Sequence, residues 1–366
     1  MTVLKLTAIP LSAPAFWERR GILSWLLWPL SKVYGTIVSA KKALHDLGFG
    51  KGKPFPVPVI IVGNVRVGGT GKTPIVIALA ERLRALGYRP GIISRGYGAG
   101  RHRDRSNPIA VNSASDPSAV GDEPVLMAQR THDQVPIWVC PSRRKSIRAL
   151  LKAEPNVNVI ISDDGLQHLD LIRWPAREGG RDIEIIARDN RGEGNGFLLP
   201  AGPLREPVDR DRDITLTTGA SRGLLTESRY IVDRPAFTLE PKIGIAYPLH
   251  HSDERVSLDS LLARFANARV TAVAGIGNPH RFFDSIKPHL PNLETRLTGI
   301  ALPDHATFDA AFFNAIDAQC ILITEKDAVK CIAIQDERVW VVPMLLTLPQ
   351  AAMDLIESIL KRPDPN

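Results

Sequence analysis

The clearest chemical signal in this sequence is a glycine-rich segment, residues 63–73, with the sequence GNVRVGGTGKT. Glycines let backbone N–H groups curl around phosphate oxygens, and such a loop ends in a lysine for the β- and γ-phosphates and a hydroxyl for Mg²⁺. The helix predicted to follow points the positive end of its dipole at the phosphates. The segment predicts a nucleotide-binding loop, in which we expect contacts from Arg66, Val67, Gly68, Gly69, Thr70, Gly71, Lys72 and Thr73.

The loop departs from the usual spacing, because Arg66 stands where the first glycine belongs, and Gly68 and Gly69 provide the flexibility instead. A chance glycine-rich turn is the alternative, but an apolar run and a helical pattern flank the segment as a phosphate loop requires. The sequence GGTGKT also occurs in dimerising ATPases that organise membranes, which carry a lysine where this chain has Val67. The missing lysine argues against an ATP-switched scaffold or partition protein.

Two adjacent aspartates, Asp163 and Asp164, follow the apolar run 159–162. A carboxylate at the C-terminal end of a strand in a phosphate-loop sheet holds Mg²⁺ and its waters. We therefore expect metal binding by Asp163 or Asp164, assisted by Gln167 and by the hydroxyl of Thr73. The alternative is an Asp-Asp-Gly turn whose side chains satisfy their own backbone.

Three further charged residues are candidates for contacts with substrate or nucleotide phosphate. Arg95 lies just past a predicted strand end, where ligands bind in α/β sheets, and an arginine can hold a phosphate with two hydrogen bonds. Arg205 and Glu206 follow a Pro-Gly-Pro loop. The alternatives are that Arg95 merely closes a glycine-rich loop and that Arg205 and Glu206 form a surface ion pair.

Short apolar runs alternate with helical patterns, which predicts a parallel sheet with helices packed on it. Strands are expected at 59–62, 91–93, 137–140, 157–162 and 183–187, and helices at 73–86, 123–130 and 143–152. A threonine-rich stretch follows, interpreted as a β linker or an edge hairpin. A second unit then has predicted strands at 270–274, 321–324 and 339–342 and helices at 279–286 and 308–316.

The predicted fold class is α/β: a doubly wound parallel sheet of the phosphate-loop NTPase type, with a second, smaller α/β domain joined by a β linker. The predicted domains are an N-terminal segment (1–53), the core (54–212), the linker (213–249) and a C-terminal α/β domain (250–366). A net charge of +7 suits phosphate-rich partners, although it does not choose among them. Three scattered cysteines argue against disulfides and zinc and suit a reducing compartment.

The N-terminal stretch 16–47 mixes tryptophan and leucine with arginine and lysine. Pro29 and Lys32 interrupt the apolar run that a membrane-spanning helix would need. The pattern favours a helix lying in a membrane interface, since amphipathic interfacial helices combine these residue types. The alternative is a helix packed on the protein's own core.

A series of motifs spread over nearly the whole chain resembles the tetraacyldisaccharide 4′-kinase family, which phosphorylates the lipid A precursor. They include GDEP at 121–124, DDGLQH at 163–168, LPAGPLREP at 199–207, PDH at 303–305 and TEKDAVK at 324–330. Further matches lie at 16–17, 62–64, 68–74, 94–97, 275–279 and 281–283.

The resemblance implies transfer of the ATP γ-phosphate, with Mg²⁺, to the 4′-hydroxyl of a tetraacylated glucosamine disaccharide 1-phosphate. It also implies that Asp122 is the base on the acceptor side and His305 its partner, with Lys72 in the catalytic set. Without the resemblance, Asp122 would be interpreted as a helix N-cap and His305 as a cap or surface histidine. Both roles suit phosphoryl transfer, which needs positioning, charge neutralisation and a group that accepts the sugar proton.

The expected partners are the acylated disaccharide lipid and a membrane surface, contacted peripherally through the N-terminal segment at the cytoplasmic face of the inner membrane. A kinase for a soluble sugar or nucleoside is the second enzymatic hypothesis, which the tryptophan-rich N-terminal segment disfavours. Nucleic acid is not an expected partner, because the basic residues are not interleaved with stacking aromatics. No obligate protein partner is evident.

Overall fold

The computed structural model describes residues 14–47, 54–96, 107–168, 171, 173–219, 234–250, 253–290 and 296–363. The chain divides into a larger unit, Ala13–Pro241 with Leu346–Asn366, and a smaller unit that contains Lys242–Leu345. The helices are α1 (Ile22–Asp46), α2 (Lys72–Ala85), α3 (Pro117–Val120), α4 (Asp122–Arg130), α5 (Arg143–Ala153), α6 (Leu258–Ala263), α7 (Pro279–Ile286), α8 (Ala310–Asn314), α9 (Glu325–Ala328) and α10 (Gln350–Leu360).

The described strands number fifteen and supply one sheet to each unit, with a two-stranded ribbon where the chain passes between the units. They are β1 (Val59–Gly63), β2 (Pro90–Ser94), β3 (Ile109–Val111), β4 (Ile137–Val139), β5 (Val159–Asp163), β6 (Ile183–Asp189), β7 (Ile214–Thr218), β8 (Ala236–Leu239), β9 (Pro241–Ile243), β10 (Tyr247–Pro248), β11 (Arg269–Ala274), β12 (Arg296–Ala301), β13 (Cys320–Thr324), β14 (Val339–Val342) and β15 (Met344–Leu346).

The sheet of the larger unit has the strand order β3-β4-β2-β5-β1-β6-β7-β8, parallel except for β3. From β1 the chain first runs to β2 on one side, past β5, and later to β6, β7 and β8 on the other side. The end of β1 is therefore a topological switch point, where open α/β sheets bind their ligands. Every residue of β1, β2, β5 and β6 is buried, and the apolar runs of β1, β2 and β5 are those of strands covered on both faces, so the predicted α/β fold is confirmed.

The described part of the range 213–249, residues 213–219 and 234–249, does not form the edge hairpin that was one interpretation of the sequence. β7 pairs with β6 and β8 pairs with β7, both in parallel, whereas a hairpin requires antiparallel strands. The two strands extend the edge of the large sheet, and the linking ribbon is formed by β9 and β15.

Helix α10 belongs to the larger unit, although the sequence assigned it to the C-terminal domain that was predicted for 250–366. Its buried face carries Met353 and Ile356. The Oε1 of Gln350 accepts a hydrogen bond from Arg82 at 2.8 Å, and Arg362, just beyond the helix, donates to the Ala176 carbonyl at 2.7 Å. Helix α10 therefore packs against residues that lie far from it in the sequence.

Helix α1 has an inverted distribution of polarity for a helix on a folded protein. Its serines Ser24 and Ser31 are buried, with 0% and 4% exposure, whereas Ile22 and Leu26 are 91% and 73% exposed. The remaining exposed apolar side chains are Leu23, Trp25, Trp28, Leu30, Val33, Ile37 and Leu44. None of the described helices combines the length and the apolarity needed to cross a bilayer.

The smaller unit has a five-stranded sheet of order β10-β14-β13-β11-β12, parallel except for β10. Phe282, Phe283 and Ile286 of α7 pack into its core with Leu322 and Trp340. Strand β12 was not predicted, because its sequence RLTGIA lacks a continuous apolar run. The helix predicted for 308–316 is confined to α8, whose first turn is capped by Asp309.

Candidate active site

The phosphate loop connects β1 to α2 and is shaped by a buried asparagine. The Asn64 side-chain nitrogen donates to the carbonyls of Arg66 at 2.6 Å and Gly68 at 3.1 Å. Gly68 and Gly71 have φ values of 104° and 79°, which only glycine adopts without strain. These two positions require glycine because the loop turns back on itself there.

Lys72 lies at the mouth of the loop and is held there by two oxygen atoms. Its Nζ donates to the Asn64 Oδ1 at 3.2 Å and lies 3.4 Å from the Asp164 Oδ1. Thr73 is buried next to it, and the buried Thr70 Oγ1 has no hydrogen-bond partner. The two hydroxyls and the lysine are the groups that a phosphate loop presents to a nucleotide and its metal.

Asp163 ends β5 as a buried carboxyl group with one oxygen unused. Its Oδ2 accepts from the Ser94 hydroxyl at 3.1 Å, whereas its Oδ1 has no hydrogen-bond partner. Burial and, to a smaller extent, the charge of Glu123 raise the pKa of Asp163 to about 7, against the lowering effect of Lys72. A buried, poorly solvated carboxylate oxygen of this kind is suited to a cation.

Asp164 has the opposite electrostatic balance. Burial raises its pKa, but the charges of Lys72 and Arg205 outweigh burial and hold the pKa below its ordinary value. Its Oδ2 lies 3.5 Å from the Arg205 guanidinium. The backbone at Asp164 has a φ of 50°. The side chain therefore engages two cations rather than its own backbone, which excludes the simple Asp-Asp-Gly turn.

The residues present fit a magnesium–nucleotide complex. No cluster of three or more His, Cys, Asp or Glu side chains suited to a metal occurs among the described residues. Mg²⁺ in kinases does not need one, because it is held by one or two carboxylates together with phosphates and water. The unpartnered Asp163 Oδ1 and the Thr73 hydroxyl supply that donor set.

Gln167 and Glu206 form a polar chain beside the loop. The Gln167 Nε2 donates to the Asn64 carbonyl at 3.1 Å and to the Glu206 Oε1 at 2.7 Å. Arg210 binds the other oxygen of Glu206. Arg205 and Glu206 therefore do not form the surface ion pair that was the alternative interpretation, since each binds other residues.

The polar chain is anchored in the larger unit by a buried acid, Glu184 on β6. Arg173 and Arg177 lie 2.7 and 2.9 Å from its carboxylate, and Arg210 lies 3.1 Å from it. Burial raises the pKa of Glu184, but the arginines lower it by more. The sequence does not reveal this cluster, because its members lie on separate segments.

Asp122, at the start of α4, and Arg95, in the loop after β2, lie on neighbouring segments of the larger unit. Asp122 is buried as the first residue of α4, and the N-cap position is taken by Gly121, so the N-cap interpretation of Asp122 is wrong. A Cβ atom on Gly96 would lie 2.8 Å from the Val120 carbonyl oxygen, which shows how closely the two segments approach. Arg95 itself is exposed.

His305 lies in the smaller unit with a left-handed backbone, φ 62°. Its Nε2 is 3.8 Å from the Asp304 Oδ2, and its backbone N–H donates to the Asp304 Oδ1 at 3.1 Å. Lys326 binds the same Oδ1 at 3.1 Å. Asp304 and Lys326 thereby fix the turn that presents His305.

Two arginines near the site were missed as functional candidates. Arg143 is fully buried and donates to the carbonyls of Asp163 at 3.1 Å and Asp164 at 3.3 Å, which fixes the end of β5. Arg191 donates to the Gly69 carbonyl in the phosphate loop at 2.6 Å. Neither arginine lies in a sequence motif whose spacing indicates a functional role.

Arg66 also differs from its prediction as a nucleotide contact. Its guanidinium is 3% exposed and is directed to Glu18 and to the carbonyls of Arg191 and Gly192. A contact from this residue to a nucleotide would therefore use the backbone.

Known proteins of one family match this chain over nearly its full length. Residues 23–361 match the sequence model of the family LpxK, Tetraacyldisaccharide-1-P 4′-kinase. A tetraacyldisaccharide 4′-kinase of Polynucleobacter necessarius is 58% identical over 96% of both chains, and one of Herminiimonas arsenicoxydans is 44% identical over 94% of both. A crystal structure of LpxK from Aquifex aeolicus in complex with ATP is similar with a TM-score of 0.70 and 28% identity, covering 93% of this chain and 100% of that one.

Proposed function

The chain belongs to the tetraacyldisaccharide-1-P 4′-kinase family, and from this premise we propose how its residues divide the work. The protein is an ATP-dependent kinase that phosphorylates the 4′-position of tetraacyldisaccharide 1-phosphate in lipid A biosynthesis. The observation that carries the assignment of roles is the convergence of Lys72, Asp164 and Arg205 at the end of β1.

On the donor side, the backbone N–H groups of residues 66–73 hold the ATP phosphates, and Lys72 exchanges its bonds to Asn64 and Asp164 for the β- and γ-phosphates. Thr73 and Asp163 hold Mg²⁺, which neutralises charge on the transferred phosphoryl group when it is bound. Gln167 keeps Asn64 in place through its hydrogen bond to the Asn64 carbonyl. Arg205, freed from Asp164, is a ligand for phosphate.

On the acceptor side, Asp122 takes the proton of the sugar 4′-hydroxyl, and His305 is its partner. The support for Asp122 is its burial at a helix start beside the loop of Arg95, where a carboxylate is shielded from water but borders the edge of the sheet that binds ligands. The support for His305 is a constrained turn that Asp304 and Lys326 hold in place. Arg95 and Glu206 contact the disaccharide phosphate and hydroxyl groups.

The test follows transfer of labelled γ-phosphate from ATP to tetraacyldisaccharide 1-phosphate in mixed micelles. Lys72→Ala is the control for the phosphate loop, and Asp122→Asn tests the base, with ATP affinity measured separately. We expect lipid labelling to vanish in the first variant, and to fall by about 10²–10⁴-fold in the second while ATP still binds. A near wild-type rate for Asp122→Asn would refute the assignment of the base.

Helix α1 rests on the membrane surface through its exposed apolar side chains, at the cytoplasmic face where ATP is available. The support is the inverted polarity of the helix, in which Ile22, Leu26 and Val33 face solvent and Ser24 and Ser31 face the protein. A helix that presents this much apolar surface beside Lys32 and Lys42 has the composition of an interfacial anchor.

Flotation with vesicles of phosphatidylethanolamine and phosphatidylglycerol tests this placement. The triple variant Ile22→Ser/Leu26→Ser/Val33→Ser is expected to lose at least tenfold in vesicle affinity, because each lost side chain removes about 1.5–3 kcal/mol of apolar burial. Thr36→Ala is the matched control, since the Thr36 hydroxyl bonds only within the helix, to the Lys32 carbonyl. Equal flotation of the triple variant and the control would exclude α1 as the anchor.

A further inference from the structure

The phosphate loop is tied to the N-terminal segment by an ion pair that its nucleotide chemistry does not require. Arg66, where other phosphate loops carry glycine, is 3% exposed and binds the carboxylate of Glu18, just after the short 3-10 helix Ala15–Trp17. The same guanidinium reaches the carbonyls of Arg191 and Gly192 at 3.4 and 3.3 Å. A buried guanidinium needs such partners, and removing its only carboxylate here leaves a poorly compensated charge.

A second tie runs through the loop that follows β6. Arg191 donates to the Gly69 carbonyl at 2.6 Å, and its Nε donates to the Asp189 carboxylate at 2.9 Å. The same loop is bound to the N-terminal segment, since the Asn195 backbone N–H donates to the Trp17 carbonyl at 2.7 Å and Arg20 donates to the Asn195 carbonyl at 3.0 Å. The middle of the phosphate loop is thus connected to the same segment.

A third tie runs through the Pro-Gly-Pro loop. The backbone of Val67 donates to the Pro203 carbonyl at 2.8 Å, and that of Arg205 donates to the Val65 carbonyl at 2.7 Å. On the other side of this loop, the Ser31 hydroxyl binds the Leu198 carbonyl at 2.8 Å, the Tyr34 hydroxyl binds the Arg205 carbonyl at 3.0 Å and the Trp17 indole binds the Pro200 carbonyl at 3.0 Å.

We propose that Glu18 and Arg66 are positioning residues for the phosphate loop. The packing of residues 15–34 against the rest of the larger unit thereby sets the affinity for ATP. The three ties all reach residues 65–69, the half of the loop that precedes Lys72. When this half of the loop is already in place before ATP binds, less conformational entropy is lost on binding. The N-terminal segment therefore acts on the nucleotide as well as on the lipid side.

The test is Glu18→Gln, which removes the charge of a side chain that is 44% exposed and does not require a core to be repacked. We expect the KM for ATP and the directly measured Kd for ATP to rise about tenfold, with kcat and the KM for the lipid within twofold of wild type. Loosening of the fold alone would lower the active fraction, hence the apparent kcat, and leave the KM for ATP unchanged. The proposal is overturned if the affinity for ATP is unchanged. It is also overturned if the KM for the lipid rises and the KM for ATP does not.

The matched control is Glu254→Gln, which removes a carboxylate of 46% exposure from an ion pair with Arg264 in the smaller unit. Its KM for ATP is expected to stay at the wild-type value. A rise equal to that of Glu18→Gln would mean that any lost surface charge has this effect, and would also overturn the proposal.

A double-mutant cycle isolates the pair. In an Arg66→Lys background, which keeps the charge, Glu18→Gln should still raise the KM for ATP. In an Arg66→Gln background, the same change should alter it by less than twofold, because the partner is already lost. Full additivity in the Arg66→Gln background contradicts a role through Arg66.

If the Arg66→Gln background does not fold, Trp17→Phe and Tyr34→Phe test independently whether the packing of residues 15–34 affects ATP binding. Each variant is expected to raise the KM for ATP about twofold. An unchanged KM for ATP in both would refute the proposal.

Discussion

A buried carboxylate lies at the end of β5 in the larger unit, and another lies in α9, directly after β13 in the smaller unit, but the two have opposite hydrogen-bond environments. In the smaller unit, Asp327 follows β13 with 0% exposure, and both oxygens are bound: by the Gly275 N–H at 3.0 Å, the Thr324 hydroxyl at 2.7 Å and the Lys330 ammonium at 2.9 Å. In the larger unit, Asp163 has a single hydroxyl donor and an unpartnered oxygen.

The difference indicates which carboxylate builds structure and which is reserved for a ligand. A buried carboxylate with both oxygens hydrogen-bonded stabilises the elements that it joins, here β13 to the loop after β11. A buried carboxylate left incomplete costs stability in the free protein, and that cost is recovered only when a cation arrives.

The largest expected effect is on turnover, from Asp163→Asn. The substitution keeps the acceptor for Ser94 but removes the charge that holds the metal, so we expect a loss of about 10³-fold in kcat. Because burial disfavours the charged form of Asp163, the free protein is expected to melt at the same temperature as wild type or higher. Phosphate-transfer assays and calorimetry on one preparation measure both. A variant that loses activity and also melts well below wild type would contradict the contrast.

The second prediction concerns Asp327→Asn, which should reverse the pattern. The change leaves Lys330 buried without its charge partner, and we expect about 3–5 kcal/mol of destabilisation in the smaller unit. The remaining folded molecules should keep their KM for ATP. Calorimetry with and without ATP measures this, and Lys361→Gln, which breaks a solvent-exposed lysine's pair with Glu357, is the control with no expected shift in melting temperature. An unchanged melting temperature for Asp327→Asn would remove Asp327 from the structural class.

Asp182 is an intermediate case that connects the contrast to pH. Its oxygens accept backbone N–H bonds from Val59 at 2.7 Å and Trp174 at 2.6 Å, yet burial outweighs these bonds and raises its pKa to about 6. The native state therefore binds this proton more tightly than the unfolded chain does. The contribution of Asp182 to the free energy of unfolding should fall as pH rises from about 4 to about 6, by about 3 kcal/mol, and stay level above that.

Denaturant unfolding between pH 4 and pH 7 in wild type and Asp182→Asn measures this slope. The decline across that window should be smaller in the variant than in wild type, whatever its absolute stability, because the neutral amide does not titrate. Parallel slopes in the two proteins would show that Asp182 has an ordinary pKa. The backbone N–H donors would then be sufficient to stabilise a buried charge without a cation.

The sequence predicted those parts of the molecule that are specified locally. The run 59–62, the glycine-rich loop and the helix after it follow from composition and spacing, and the α/β fold follows from their repetition. Lys72 and Asp164 were predicted separately, as a phosphate contact and a candidate metal ligand, and the structure places them 3.4 Å apart, because the ends of adjacent parallel strands meet at one edge.

The rest depends on long-range pairing that spacing does not encode. Nothing in a linear pattern shows that Glu184 binds arginines from two other segments, that α10 returns to the larger unit or that Arg66 binds Glu18. Buried polar contacts of this kind join residues distant in sequence, and each residue alone resembles an ordinary surface charge. Strand β7 is rich in threonine and was likewise assigned to a linker, because its buried hydroxyl-bearing residues do not form an apolar run in the sequence.

The smallest effect is expected from Ser94→Ala, which sharpens the contrast from the side of the incomplete carboxylate. Ser94 is buried at the end of β2 and gives Asp163 its one hydrogen bond, at 3.1 Å. Without this bond the charged form of Asp163 becomes less favourable, and the Mg²⁺ concentration for half-maximal activity should rise about threefold to tenfold, with kcat at saturating Mg²⁺ retained. Titration of Mg²⁺ at fixed ATP measures the shift, and Ser118→Ala, whose hydroxyl binds only the exposed Asp116, is the control. A lowered kcat at saturating Mg²⁺ would instead show that Ser94 orients Asp163 during the reaction, so that the incomplete carboxylate depends on its single donor for geometry as well as for charge.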